Sequence, residues 1–135
     1  KTLALRMDKH AENAMKVANW LRKEPMVEQV YYVGFEDHKD YAVTKKQTTG
    51  FGGMISFRVD SMETVNKILA NLKLVTFAES LGGVESLITH PVSRTHTEIS
   101  EDKRNALGIT DTLLRLSVGI EDADDIIADL KQAME

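Results

Sequence analysis

The stretch Leu113-Leu114-Arg115-Leu116-Ser117-Val118-Gly119-Ile120 decides how this 135-residue chain is read. Its residues alternate at period two. Leu114, Leu116 and Val118 fall on one face and Arg115 and Ser117 on the other, which predicts a strand with one apolar and one polar face. Just downstream, Asp122 is placed to cap a final helix whose buried stripe is Ile126, Ile127 and Leu130. Asp124 and Asp125 then stand at that helix's positive end. Just upstream, Ser100-Glu101-Asp102-Lys103 reads as an N-cap and an acidic first turn, with Gly108 as the C-terminal stop.

Working back toward the start, the same vocabulary recurs. Val84 to Thr89 is extended and ends at His90-Pro91, and Leu74 to Ala78 is a further strand. Ser61 caps a helix carrying Val65, Ile68, Leu69 and Leu72. Met54 to Val59 alternates as a strand opened by Gly50-Phe51-Gly52-Gly53, Asp37 to Thr49 is loop or short helix, and Val27 to Val33 is a β-rich run closed by Gly34. Leu3, Met7, Ala11, Ala14, Ala18 and Leu21 place an apolar stripe along a helix over residues 1–24, ended by Pro25. The pattern predicts an α+β domain with a small, mostly antiparallel sheet covered by helices on one side and preceded by a long helix. That first helix has no visible cap and no initiator Met precedes it, as expected where a longer chain continues upstream.

Composition narrows the function classes. With 42% hydrophobic residues and only 2 prolines, the chain builds a real core as one domain. A formal charge of -4 gives no general attraction to nucleic acid or anionic membranes. The 0 cysteines exclude disulfides, thiolate metal sites and a cysteine nucleophile, and fit a reducing cytoplasm. No apolar stretch approaches the roughly 20 residues that span a bilayer.

Few motifs carry chemistry. Gly50-Phe51-Gly52-Gly53 opens a strand, whereas phosphate loops run from strand into helix, so a turn or bulge is the better reading. His90 and His96 lack companion ligands at a metal spacing and read as structural. The acidic Glu121 to Asp125 run lacks the glycine and distal glutamate of a calcium loop. What remains is Arg115 in an apolar strand, together with Glu79 to Leu87. An arginine there either grips a ligand carboxylate with two parallel hydrogen bonds or forms a salt bridge.

At these residues the chain resembles a known family. Ala78-Glu79-Ser80-Leu81-Gly82-Gly83-Val84-Glu85-Ser86-Leu87-Ile88, His90-Pro91, Thr95-His96 and Leu107-Gly108-Ile109, with Leu114 to Glu121, are similar to the C-terminal signature of the trans-sulfuration enzymes that use pyridoxal 5'-phosphate. The opening Lys1-Thr2-Leu3, Arg6-Met7 and His10 resemble that family's interdomain helix, and Val30, Tyr32, Gly34 and Gly52-Gly53-Met54 its next two strands. The likeness covers essentially the whole chain.

The resemblance implies one C-terminal domain over residues 1–135, with residues 1–24 as interdomain helix and the cofactor domain upstream. It implies that Arg115 binds the α-carboxylate of an amino-acid substrate, that Ser80 and Leu81 line that pocket, and that Thr95 lies close by. Glu79 would sit at the distal end, favouring the amino group of a long substrate such as cystathionine; its alternative is a solvated surface charge. The Schiff-base lysine and the phosphate-binding residues lie upstream in the family, so the resemblance implies no catalytic residue, bound cofactor or activity for this segment alone. It further implies cystathionine γ-lyase chemistry in a cytoplasmic homotetramer, with γ-synthase, β-lyase or a free-standing amino-acid-binding module as alternatives. Two positions depart from the pattern: Arg94 stands where the family has methionine, and Thr97 where it has alanine or serine. Arg94 either alters the pocket rim or points to solvent.

Overall fold

A computed structural model describes residues 1–135. The sheet has five strands in the order β1-β2-β5-β4-β3. They are β1 (Val27–Tyr31), β2 (Met54–Val59), β3 (Thr76–Phe77), β4 (Leu87–Thr89) and β5 (Leu113–Ser117). Every pairing is antiparallel except that of β3 with β4. The expected α+β class and mostly antiparallel sheet are therefore what the chain adopts. The helices are α1 (Leu3–Leu21), α2 (Tyr41–Gln47), α3 (Met62–Asn71), α4 (Glu101–Ala106) and α5 (Ala123–Met134), with a 3-10 turn at Pro91–Ser93.

One core holds these layers together. Val30, Ile55, Phe57, Ile88, Leu114 and Leu116 from the sheet meet Ala14, Val17 and Leu21 of α1, Val65 and Ile68 of α3, and Ile126 and Leu130 of α5. Each fully buried aliphatic or aromatic side chain contributes about 1.5–3 kcal/mol, so this interface fixes which sheet face turns inward. The opposite face then follows from register. Ser56 of β2 and Thr89 of β4 both stand opposite Arg115 of β5, setting three polar residues side by side across the central strands.

Several details differ from the expectation. The inward stripe of α1 is His10, Asn13, Ala14, Val17, Ala18 and Leu21, whereas Leu3 and Met7 remain exposed. The helix rotates its C-terminal half onto the core, and two polar residues come with it. β3 shrinks to two exposed residues because Lys73, Leu74 and Val75 donate their N–H groups to the Asp129 carboxylate at 2.9, 2.9 and 2.8 Å instead of to a neighbouring strand. Ser61 caps α3 by accepting from the Thr64 N–H, and Asp122 caps α5 by accepting from the Asp124 N–H. Ser100 makes no side-chain cap bond at α4.

Candidate functional site

The polar sheet face acquires chemistry where the loop between β3 and β4 crosses the end of β5. Arg115 is half-buried, and its guanidinium donates one hydrogen bond to the Glu79 carbonyl at 2.9 Å. No acidic side chain pairs with it. Most of a five-donor fork is left available, a geometry that matches a carboxylate.

The loop that carries Glu79, Ser80 and Leu81 is stitched to β5 along its length. The Gly82 N–H donates to Ser117 Oγ at 2.9 Å, and the Ile120 N–H to the Val84 carbonyl at 2.8 Å. Ser86, fully buried, donates from its N–H and its hydroxyl to the two Glu121 carboxylate oxygens at 2.6 and 2.9 Å. The same hydroxyl accepts from the Gly119 N–H at 2.8 Å. Two glycines make this course feasible. Gly82 takes φ +74°, a left-handed turn that other residues resist, and a side chain at Gly119 would collide with the Val84 carbonyl and the Glu121 carboxylate.

Behind this strand end, α1 supplies the second layer. His10 Nδ1 bonds the Val118 carbonyl at 2.6 Å, and Asn13 donates to the carbonyls of Gly119 and Glu121 at 3.0 and 2.7 Å. His10, Asn13, Ser86 and Glu121 are the residues that the sequence reading did not single out as a group. A polar pair on the buried phase of α1 was the available signal, since an unpaired polar group there would be costly.

The other expected residues are placed as follows. Ser80 and Leu81 are exposed beside the Glu79–Arg115 bond. Thr95 is exposed and shares a hydrogen bond with His96 Nδ1 at 2.8 Å; no hydrogen bond joins it to Arg115. The Glu79 carboxylate is exposed and makes no ion pair. It borders a concavity of about 310 Å³ formed with Phe77, Ala78 and Arg94, and the Arg94 guanidinium lies 5.0 Å over the Phe77 ring. His90 spends both ring nitrogens internally, on Ser93 Oγ at 2.8 Å and the Asp111 carbonyl at 2.6 Å, so it acts as a structural residue. The hollow at Gly50 to Gly52 is lined by Asp8 and by no basic side chain, which is unsuited to phosphate.

The α+β domain thus presents on one sheet face an arginine that makes one hydrogen bond and no ion pair, beside a glycine-bearing loop. The chain belongs to the Cys/Met metabolism PLP-dependent enzyme family, which it matches over residues 1–135. It is 52% identical over 135 residues to a cystathionine gamma-lyase of Bacillus subtilis, covering 100% of this chain and 36% of that protein. It is 49% identical to an L-methionine gamma-lyase of Fusobacterium nucleatum over 136 residues, covering 100% of this chain and 34% of that protein. Among solved structures, cystathionine gamma synthase from Xanthomonas oryzae in complex with cystathionine superposes with a TM-score of 0.93 at 46% identity, covering 98% of this chain and 35% of that one. The chain thus spans about a third of the length of the relatives it matches.

Proposed function

We propose that this chain is the substrate-carboxylate-binding part of a PLP-dependent carbon–sulfur lyase. The preferred reaction is hydrolytic elimination on cystathionine to cysteine, 2-oxobutanoate and ammonia, as in cystathionine γ-lyase; γ-synthase and β-lyase activities of the same family are the runners-up. The observation that carries this reading is Arg115: half-buried, held by one bond to the Glu79 carbonyl, and otherwise unpaired.

In the family, the cofactor supplies the electron sink for carbon–sulfur cleavage. The polar strand face (Ser56, Thr89, Arg115) and the loop from Glu79 to Ser86 contain no lysine, so these residues do not fit a Schiff-base site and no step through the cofactor is assigned to them. Their work is orientation. Arg115 grips the α-carboxylate of the substrate, Ser80 and Leu81 shape the wall beside it, Thr95 lies close by, and Glu79 meets the far ammonium of a long substrate. Fixing the carboxylate sets which Cα bond is presented for cleavage. As parts of a homo-oligomeric enzyme, such sites would be completed by the cofactor-bearing portion of the protein.

The test is Arg115→Ala in the complete enzyme. The expected result is a loss of about a hundredfold in kcat/KM, from losing a bidentate charged contact. Arg115→Lys should recover only part of it, because an ammonium cannot reproduce the fork. Full activity in Arg115→Ala would refute the reading.

A further inference from the structure

The loop from Glu79 to Ser86 has no structure of its own. No hydrogen bond joins one of its residues to another, and Gly82 turns it at φ +74° with open space beside its backbone. Its course is dictated from outside, by alternate residues of β5 and the segment that follows. Arg115 donates to the Glu79 carbonyl, Ser117 Oγ accepts from the Gly82 N–H, the Gly119 N–H donates to Ser86 Oγ, and the Glu121 carboxylate accepts from the Ser86 N–H and hydroxyl. The period of two thus continues past the end of the strand. The two ends of the loop are held unequally. At Glu79 there is a single bond, to Arg115; at Ser86 three bonds converge on a residue with 0% exposure. Glu121 is half-buried and forms no ion pair, so its carboxylate serves this junction alone. Behind it, Asn13 donates to the Glu121 carbonyl at 2.7 Å, which fixes the backbone from which that carboxylate reaches.

From this arrangement we propose that Glu121 is a positioning residue for the carboxylate grip, acting through the loop rather than on the substrate. By clamping Ser86 it fixes the downstream end of the loop, and the loop in turn brings the Glu79 carbonyl to Arg115 and sets Ser80 and Leu81 beside it. Without the clamp, the buried Ser86 N–H and hydroxyl lose their acceptor. A loop with no internal bonds then samples courses in which Arg115 is not aimed. Substrate binds only the aimed fraction, so affinity falls by that fraction while the bound complex reacts as before. The signature is a rise in KM with kcat kept. The inference rests on the carboxylate-grip reading above and extends it to a residue outside the pocket.

The experiment is kcat and KM for cystathionine in the complete PLP-loaded enzyme, measured for the parent, Glu121→Ala, Arg115→Ala and the double variant. The expected result for Glu121→Ala is a rise of about tenfold in KM, an aimed fraction of about one in ten, with kcat within about twofold of the parent. Glu121→Gln, whose carbonyl still accepts from the Ser86 N–H and whose amide donates to Ser86 Oγ, should hold KM within about threefold of the parent. In the Arg115→Ala background, Glu121→Ala should change KM by less than about twofold, because both substitutions remove one contact. If Glu121→Ala does not accumulate as folded holoenzyme, Glu121→Asp carries the same test: its shorter side chain withdraws the oxygens from Ser86 and should raise KM about threefold. A fall in kcat with KM unchanged, or a KM effect that persists undiminished without Arg115, overturns the inference and leaves Glu121 a structural residue. If Arg115→Ala itself leaves KM unchanged, the carboxylate-grip reading falls, and this inference falls with it.

Discussion

Ser80 and Ser86 stand six positions apart in one loop, yet the fold treats them as opposites. Ser86 has 0% exposure and three hydrogen bonds, to both oxygens of Glu121 and from Gly119. Ser80 is exposed and makes no side-chain bond. The same contrast separates the acids. Asp129, 6% exposed, receives three backbone N–H groups, whereas Glu79 has no partner. Polar groups whose bonding capacity is spent internally hold the scaffold, and those left unspent at a rim are available to a ligand.

That division is best attacked where the held groups matter most. Asp129→Ala leaves three N–H groups at the α3–β3 connection without acceptors, and should cost about 3 kcal/mol in urea unfolding. A loss below about 1 kcal/mol would mean that water replaces the carboxylate freely. Ser86→Ala removes one acceptor from the buried Gly119 N–H and one donor to Glu121, for an expected loss of about 2 kcal/mol. Ser80→Ala is the matched control, with a stability change below about 0.5 kcal/mol and an effect on amino-acid binding alone. Comparable destabilisation by both serine variants would dissolve the distinction.

A pH titration sharpens the comparison further. Burial alone would push the Asp129 carboxyl up, but the N–H groups of Val75, Lys73 and Leu74, with Gln132, outweigh it and hold the group below its ordinary value of 3.8. A folded-state pKa below the unfolded one means that this contribution is complete above about pH 4 and is lost as pH falls through the folded value. In Asp129→Asn, the acid limb of the stability profile should flatten between those points. An unchanged limb would show that other carboxylates control acid unfolding.

Much of the fold was legible because periodicity reports burial. The alternation of Met54 to Val59 bounds β2, and residue type and spacing place the Ser61 and Asp122 caps. The errors arose where the interior competes for backbone or side chain. Asp129 takes the N–H groups of residues 73–75 and truncates β3 to Thr76–Phe77, and nothing local to that segment signals a carboxylate from α5. Apolar spacing marks only part of the α1 stripe, because His10 and Asn13 share the inward face with Ala14 and Val17. Of the candidate site, Arg115 stood out as a charge in an apolar strand. The clasp of Ser86 and Glu121 did not, because its partners lie 35 positions apart.

The sequence by itself determined the sheet's two faces, the Ser61 and Asp122 caps and the family, since all three rest on short-range order: alternation, capping residues and contiguous motifs. Only the tertiary structure decided which polar residues are satisfied. Whether Arg115 spends its donors on an acid or keeps them, and whether Arg94 points away or stacks on Phe77, depends on neighbours brought in by chain crossings. Hydrogen bonding and ion pairing act over about 3–4 Å in space, a range that sequence separation does not measure.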